Sequence, residues 1–333
     1  MTVMLAGVLL ATTCLCGEAP ERANDFFWEN DRVGFRAYGP GDPHKWSGID
    51  VFNKATTNNF VVHLLREPGK HGNWHKNVNG LGMDDYAMGP GRGVGGVALR
   101  KDGKWLPDYG NWVAYRILTN CEERCAFELD YKLPIGGTMT LGIGLVKGCS
   151  LFVEEVKLSD DVPTEGLEVG VGLDLSAERE HTGDLFVDEK KLIVSLFEKP
   201  HNREGEEGSM MNALFAVDSL APLSLVDGPD GSKLVMTRPL CKEDAGKPVV
   251  TVMAGADWTE AGRFKTAPEW HGYVQGLYGQ FEGLGARIGA KVGEVIGKTT
   301  LGIIGGVVGG TVEAAVKAQQ SDNLKTQQKG AEK

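Results

Sequence analysis

CAFELDYKL, residues 125–133, and SLFVEEVKLS, residues 150–159, alternate apolar and polar side chains with period two, the pattern of strands with one buried and one wetter face. Outward from these two stretches, Phe26 to Trp258 is a succession of short runs rich in β-branched, aromatic and apolar residues, broken by Gly, Pro, Asn and Asp. Val33–Tyr38, Gly48–Asn53, Phe60–Leu65, Asn111–Leu118, Met139–Val146, Leu167–Leu175, Leu192–Glu198, Ala213–Val217, Lys233–Thr237 and Val249–Ala254 all read as strands. No helical pattern lies between them, and no internal repeat is evident. Close spacing of strands without crossover helices predicts an all-β fold, an antiparallel β-sandwich.

The 333 residues suffice for a large core. Lys+Arg 35 against Asp+Glu 45 leaves a net charge of -10, the wrong sign for a non-specific grip on phosphates, so nucleic acid is excluded as a general partner. Val3 to Leu15 is an uncharged apolar run followed by small and polar residues, which reads as a signal peptide over residues 1–19 and export to the periplasm, the cell envelope or the medium. In an oxidising compartment Cys121 and Cys125, flanking a turn, are expected to form a disulfide; the alternative is separate thiols, with Cys149 and Cys241 buried. No cysteine or histidine pairs stand at zinc-ligand spacing.

After Tyr273 the composition changes. Gly285, Gly289, Gly293 and Gly297, then Gly302, Gly306 and Gly310, recur every four residues; on a helix they form a smooth stripe that a second backbone can approach. Residues 275–318 are therefore expected to be a glycine-zipper helix, with self-association or membrane contact through Gly285–Gly310, and 319–333 a disordered tail.

The stretch from Trp74 to Gly96, WHKNVNGLGMDDYAMGPGRGVGG, gathers His75, Lys76, Asp84, Asp85, Tyr86 and Arg92 among seven glycines. A phosphate loop is not indicated, because no βαβ unit surrounds Gly91-x-Gly93-x-x-Gly96 and no Gly-Lys-Ser/Thr follows. A polar loop at the rim of a sandwich fits better. Arg92 has a structural alternative, an ion pair to Asp84 or Asp85, and Tyr86 has one as a core aromatic. Upstream, Glu29 and Asp31 fall on one face of a strand, and Arg32 and Arg36 on the other, so that both arginines are expected in one cleft.

Four ordered blocks, WENDRVGFRAYGP, SGIDVFNK, WHKN…GMDDYAMGPGRGVGG and AGADWTEAGRFKTAPEWHGYV, together resemble the DUF4861 family over about Asp25 to Val274. That resemblance implies a mutarotase-like β-supersandwich in residues 25–274, in an exported enzyme associated with breakdown of uronate-containing polysaccharides such as pectins and ulvan. Similarity to the family's ulvan oligosaccharide dehydratase activity implies elimination of water from the non-reducing terminal uronate of an oligosaccharide. The chain departs from the pattern in lacking an N-terminal β-region and in carrying the glycine-rich tail. Where relatives read His-Lys-Asp-His-Gly, this chain reads His75-Lys76-Asn77-Val78-Asn79-Gly80, without the second histidine.

Such an elimination requires a cation on the uronate carboxylate, a base for the C5 proton and an acid for the departing C4 oxygen. Arg92 suits the first task because guanidinium binds carboxylates bidentately. His75 suits the second, and Tyr86 or Lys76 the third. Asp84 would orient His75 or Arg92, or ligate a divalent cation; no other cofactor is expected. Arg32, Arg36, Trp74 and Asp31 complete the substrate-binding set. A glycoside hydrolase pairing Asp84 with Asp31 or Glu29 is the rival enzyme. The non-catalytic rival is a carbohydrate-binding protein stacking sugars on Trp28, Trp46, Trp74 and Trp105.

Overall fold

The computed structural model describes residues 14–289, apart from 87, 89–91, 175–182, 201–207, 220–223, 227 and 229–231. Its strands are β1 (Leu15–Ala19), β2 (Asp25–Glu29), β3 (Val33–Ala37), β4 (Ile49–Lys54), β5 (Gly82–Met83), β6 (Val94–Lys101), β7 (Lys104–Trp105), β8 (Ala114–Cys121) and β9 (Arg124–Lys132). They continue with β10 (Thr138–Val146), β11 (Leu151–Leu158), β12 (Leu167–Asp174), β13 (Asp184–Asp188), β14 (Ile193–Glu198), β15 (Met210–Ser219), β16 (Ser224–Val226), β17 (Ser232–Pro239) and β18 (Pro248–Trp258). Two α-helices, α1 (Val61–Arg66) and α2 (Ala267–Gly289), complete the elements used below.

One layer is a wide eight-stranded sheet, ordered β13-β14-β15-β18-β11-β10-β9-β8. Two five-stranded sheets, β1-β2-β3-β4-β5 and β16-β17-β12-β6-β7, form the other and meet where Ile49 makes a parallel bridge to Gly93. The expected all-β antiparallel sandwich is the observed architecture. Its main core takes Phe26, Trp28 and Phe35 from the first small sheet, Val97, Val169 and Val171 from the second, and Phe127, Leu141 and Phe152 from the wide one. Trp28 meets Phe152 edge to face at 5.7 Å. The two quoted stretches are β9 and β11, whose period-two faces divide as predicted for Phe127, Leu129 and Tyr131, all buried.

The boundaries shift at both ends. The sheet begins at β1, which pairs antiparallel with β2, so Leu15–Ala19 belongs to the β-domain and not to the segment ahead of it. At the other end α2 starts at Ala267, eight residues before the helix expected from residue 275. Trp270, Val274, Leu277 and Phe281, spaced four, three and four apart, pack against Ile193, Met211 and Phe215 on the outer face of the wide sheet, the stripe a surface helix buries. Residues 1–13, the glycine zipper beyond Gly289 and the polar end lie outside the described residues. Among the described residues no helix is long and apolar enough to cross a membrane.

Phe60–Leu65 was expected as a strand from its β-branched and aromatic content, and most of it is helix α1. Tertiary context overrides propensity here. The buried Glu29 carboxylate accepts the backbone N–H groups of Phe60 at 2.8 Å and Val62 at 3.0 Å, two of the donors a helix start leaves unpaired. Val61, Leu64 and Leu65 then cover Phe27 and Phe52 on the outer face of the first small sheet. Lys54, fully buried, closes the arrangement with its Nζ 2.7 Å from Glu29 Oε2.

Replacing Glu29 therefore removes three partners at once. Glu29→Ala is expected to destabilise the fold by about 3–5 kcal/mol in urea melts, because the Lys54 ammonium stays buried without its carboxylate. Glu29→Ala/Lys54→Met should recover part of that loss, since no buried charge remains.

Candidate functional site

The outer face of the first small sheet carries a buried charge network centred on Arg36 of β3. Antiparallel register sets Arg36 opposite Phe27 of β2 and Asp50 of β4. Its Nε and Nη2 donate to Asp50 Oδ2 at 2.9 and 2.7 Å, its Nη1 to Asp25 Oδ2 at 3.4 Å, and its Nη2 to Asp84 Oδ2 at 3.3 Å. Tyr38 hydroxyl also donates to Asp50 Oδ2 at 3.2 Å. One guanidinium thus faces three carboxyl groups in a dry site. Burial, and then the neighbouring Asp50 carboxylate, push Asp84 well above its usual range, and burial raises Asp25 as well. Both shifts favour a protonated carboxyl group beside Arg36, which lowers the excess of negative charge there.

Asp84 also reaches the surface through its main chain. Its N–H donates to the carbonyl of Trp74 at 2.9 Å, and its carbonyl oxygen lies 2.9 Å from Nδ1 of the exposed His75. A carbonyl only accepts, so neutral His75 carries its proton on Nδ1 and its lone pair on Nε2. Asp84 meets the His75 ring through its backbone carbonyl and not through its carboxylate. Lys76 is exposed beside it and Trp74 is half-buried.

A second polar cluster lies where the two small sheets meet. Buried Arg92 donates through Nη1 to Ser47 Oγ at 3.2 Å and forms a short ion pair with Asp108. The guanidinium stands 5.6 Å from the centre of the Tyr109 ring, and its Nε has no partner among the described residues. Asp108 therefore takes the ion-pair role considered for Asp84 or Asp85, and Asp85 accepts a short hydrogen bond from Asn53. Glycine is required in the chain that leaves Arg92. Gly93 has φ +70°, and a Cβ there would overlap the Ile49 carbonyl oxygen that marks the junction of the sheets.

Across the core from this junction the wide sheet presents Glu154 of β11, fully buried, with neither carboxyl oxygen hydrogen-bonded among the described residues. A Cβ on Gly95 would come within 2.9 Å of Glu154 Oε2, so the glycine leaves room for the carboxyl group. Burial alone pushes Glu154 well above the usual carboxyl range. Tyr131, stacked edge to face on Tyr109 at 5.4 Å, has a buried hydroxyl that is also unpaired among the described residues. Sequence reasoning missed Glu154, although the signal was legible: in SLFVEEVKLS it occupies the face of Phe152, Val156 and Leu158. It also missed Asp25 and Asp50, and Asp108, which is distant in sequence from its partner.

The remaining candidates lie elsewhere. Tyr86 is buried in the main core with Met88. Arg32 and Arg36 do not share a cleft. Asn30 Oδ1 accepts the N–H of Arg32 at 2.8 Å and of Val33 at 3.1 Å, an Asx turn that breaks strand alternation between the two arginines. The carbonyl of Arg32 accepts from Arg263 at 2.8 Å, and Asp31 Oδ1 accepts from Gly148 N–H at 2.7 Å. Glu29 caps α1, so Asp84, Asp31 and Glu29 form no pair of facing carboxylates. Trp28 is buried in the core and offers no sugar platform. Half-buried Trp46 stacks on exposed His44 at 4.6 Å, and half-buried Trp105 lies beneath the Arg100 guanidinium at 5.8 Å. Among the described residues no three His, Cys, Asp or Glu side chains are placed to hold a metal ion.

Fold and site define an all-β sandwich in which the first small sheet carries a buried charge network beneath an exposed histidine. Residues 10–282 match a family described as Domain of unknown function (DUF4861), and the chain belongs to it. A relative in Formosa agariphila, described as Uncharacterized protein P7, is 25% identical over 285 residues, which cover 81% of this chain and 68% of that protein.

Two stability measurements check the charge assignments. Asp84→Asn imitates the protonated acid and should change stability by about 1 kcal/mol or less, whereas Asp50→Asn, which weakens three donated hydrogen bonds, should cost about 3 kcal/mol or more. For Glu154 the folded carboxyl binds its proton more tightly than the unfolded one, so wild-type stability falls as pH rises above about 4.3, by at most about 1.4 kcal/mol per unit. Glu154→Gln lacks this titration. Its stability relative to wild type is expected to improve steadily between about pH 5 and pH 8, and a pH-independent difference in urea melts would refute the neutral assignment.

Proposed function

We propose that the protein is an exported carbohydrate-active lyase that eliminates water from the non-reducing terminal uronate of an oligosaccharide. The observation that carries this reading is His75. Its Nδ1 is committed to the Asp84 carbonyl, which leaves Nε2 as an oriented lone pair at the exposed surface, the form a general base needs. Arg92, whose Nη1 is held by Ser47 and Asp108, is the candidate cation for the uronate carboxylate.

The step balances without an added reagent. Nε2 of His75 removes the C5 proton, the freed electron pair forms the C4–C5 double bond, and the C4–O bond breaks. The departing hydroxyl takes a proton from an acid and leaves as water. Lys76, exposed beside His75, suits the acid role better than Tyr86, which is in the core. Glycoside hydrolysis by two carboxylates is less well supported, because Asp31 and Glu29 are each committed to backbone donors away from Asp84. Sugar binding without turnover has one supporting feature, the His44–Trp46 ring pair.

The test offers the purified protein a panel of pectic and ulvan oligosaccharides and follows ultraviolet absorbance together with product mass. The expected product absorbs as a conjugated unsaturated uronate and is lighter by one water. His75→Asn should lower the rate roughly 10²–10⁴-fold, and Arg92→Lys should be severely impaired because an ammonium lacks the bidentate fork. Binding without either signal across the panel would leave the binding protein as the better reading.

A further inference from the structure

The expected disulfide between Cys121 and Cys125 is not formed; every cysteine among the described residues is a free thiol. Register explains why. In the β8–β9 hairpin Cys121 pairs with Arg124 and Cys125 with Asn120, so the two side chains project to opposite faces. Cys121 is exposed and its Sγ donates to the Arg124 carbonyl at 3.4 Å, whereas Cys125 is buried in the main core.

Cys125 has a different neighbour. Asn120, its cross-strand partner, clamps the backbone of Cys16: Cys16 N–H donates to Asn120 Oδ1 at 3.2 Å, and Asn120 Nδ2 donates to the Cys16 carbonyl at 2.9 Å. This holds β1, the edge strand of the first small sheet, against the hairpin of the wide one. Cys16 is only 3% exposed and Cys125 1%, in the same core cluster, and the Cys16 Sγ lies 4.0 Å from the carbonyl of Thr119, whose cross-strand partner Ala126 is the neighbour of Cys125. Two buried cysteines in one core cluster, on strands from opposite layers that Asn120 ties together, are placed for a disulfide.

We infer that Cys16 and Cys125 form a disulfide when the chain folds in an oxidising compartment, stapling β1 to β9. The two thiols give up two protons and two electrons to make one S–S bond. A disulfide of the oxidant class, such as oxidised glutathione or a thiol oxidase, accepts them and becomes two thiols. The bridge closes a loop of about 110 residues, a length at which cross-linking strongly restricts the unfolded chain. Because both sulfurs are buried, the bond has to form during folding.

The full chain is refolded from denaturant in a buffer of oxidised and reduced glutathione, blocked with an alkylating reagent and mapped by mass spectrometry without reduction. A peptide joining Cys16 to Cys125 is expected, with two fewer alkylated thiols than in the reduced protein. The oxidised protein should melt on the order of 5–10 °C above the reduced one, and Cys125→Ala should lose that difference while remaining folded. Free Cys16 and Cys125 in the refolded protein, or Cys125 joined to Cys14 or Cys121, would overturn the inference. An unchanged melting temperature despite the bond would overturn its role as a staple.

Discussion

The guanidinium of Arg36 ties together chain segments that are distant in sequence. Asp25 comes from β2, Asp50 from β4 and Asp84 from the loop that follows β5, and each approaches the same buried cation. A buried charge without partners is costly, and several carboxylates without a cation are costlier still. The network is therefore stable only when all the segments are in place. Because Asp84 is held by its side chain, its carbonyl is fixed in space, and His75 takes its orientation from that carbonyl. The surface histidine is positioned by an interaction beneath it that it does not touch.

The Glu29–Lys54 pair does for the covering layer what Arg36 does for the loop. A fully buried carboxylate receives one ammonium and two backbone donors, and a segment of strand-forming composition becomes the helix that covers Phe27 and Phe52. The two networks share one sheet face, so the sheet supplies both a hydrophobic surface for α1 and a polar anchor for the site.

Where the small sheets meet, close backbone approach sets the composition. Gly93 and Gly95 have positive φ, and side chains there would meet the Ile49 carbonyl and the Glu154 carboxyl group respectively. Gly93, Gly95 and Gly96 are accounted for by this close approach without invoking a phosphate ligand. Opposite it, Glu154 and Tyr131 keep polar groups in an otherwise apolar layer, the kind of local inconsistency that a fold tolerates at few places.

By itself the sequence determined the class of fold. Period-two alternation in β9 and β11 is a local property of an extended backbone with one face in a core, and it can be read without knowing the partner strand. The same alternation places Glu154 on the apolar face of β11, a signal that was legible but went unread. Only the tertiary structure decided that most of FVVHLL is a helix, that Cys121 and Cys125 face opposite ways, that Arg92 pairs with Asp108, and that Arg32 and Arg36 part company. Each of these depends on strand register or on a turn such as that at Asn30, and a shift of one residue reverses every side chain from one face to the other. Spacing along the chain carries the period of a strand; which charges meet across strands is set by pairing between segments that the spacing does not relate.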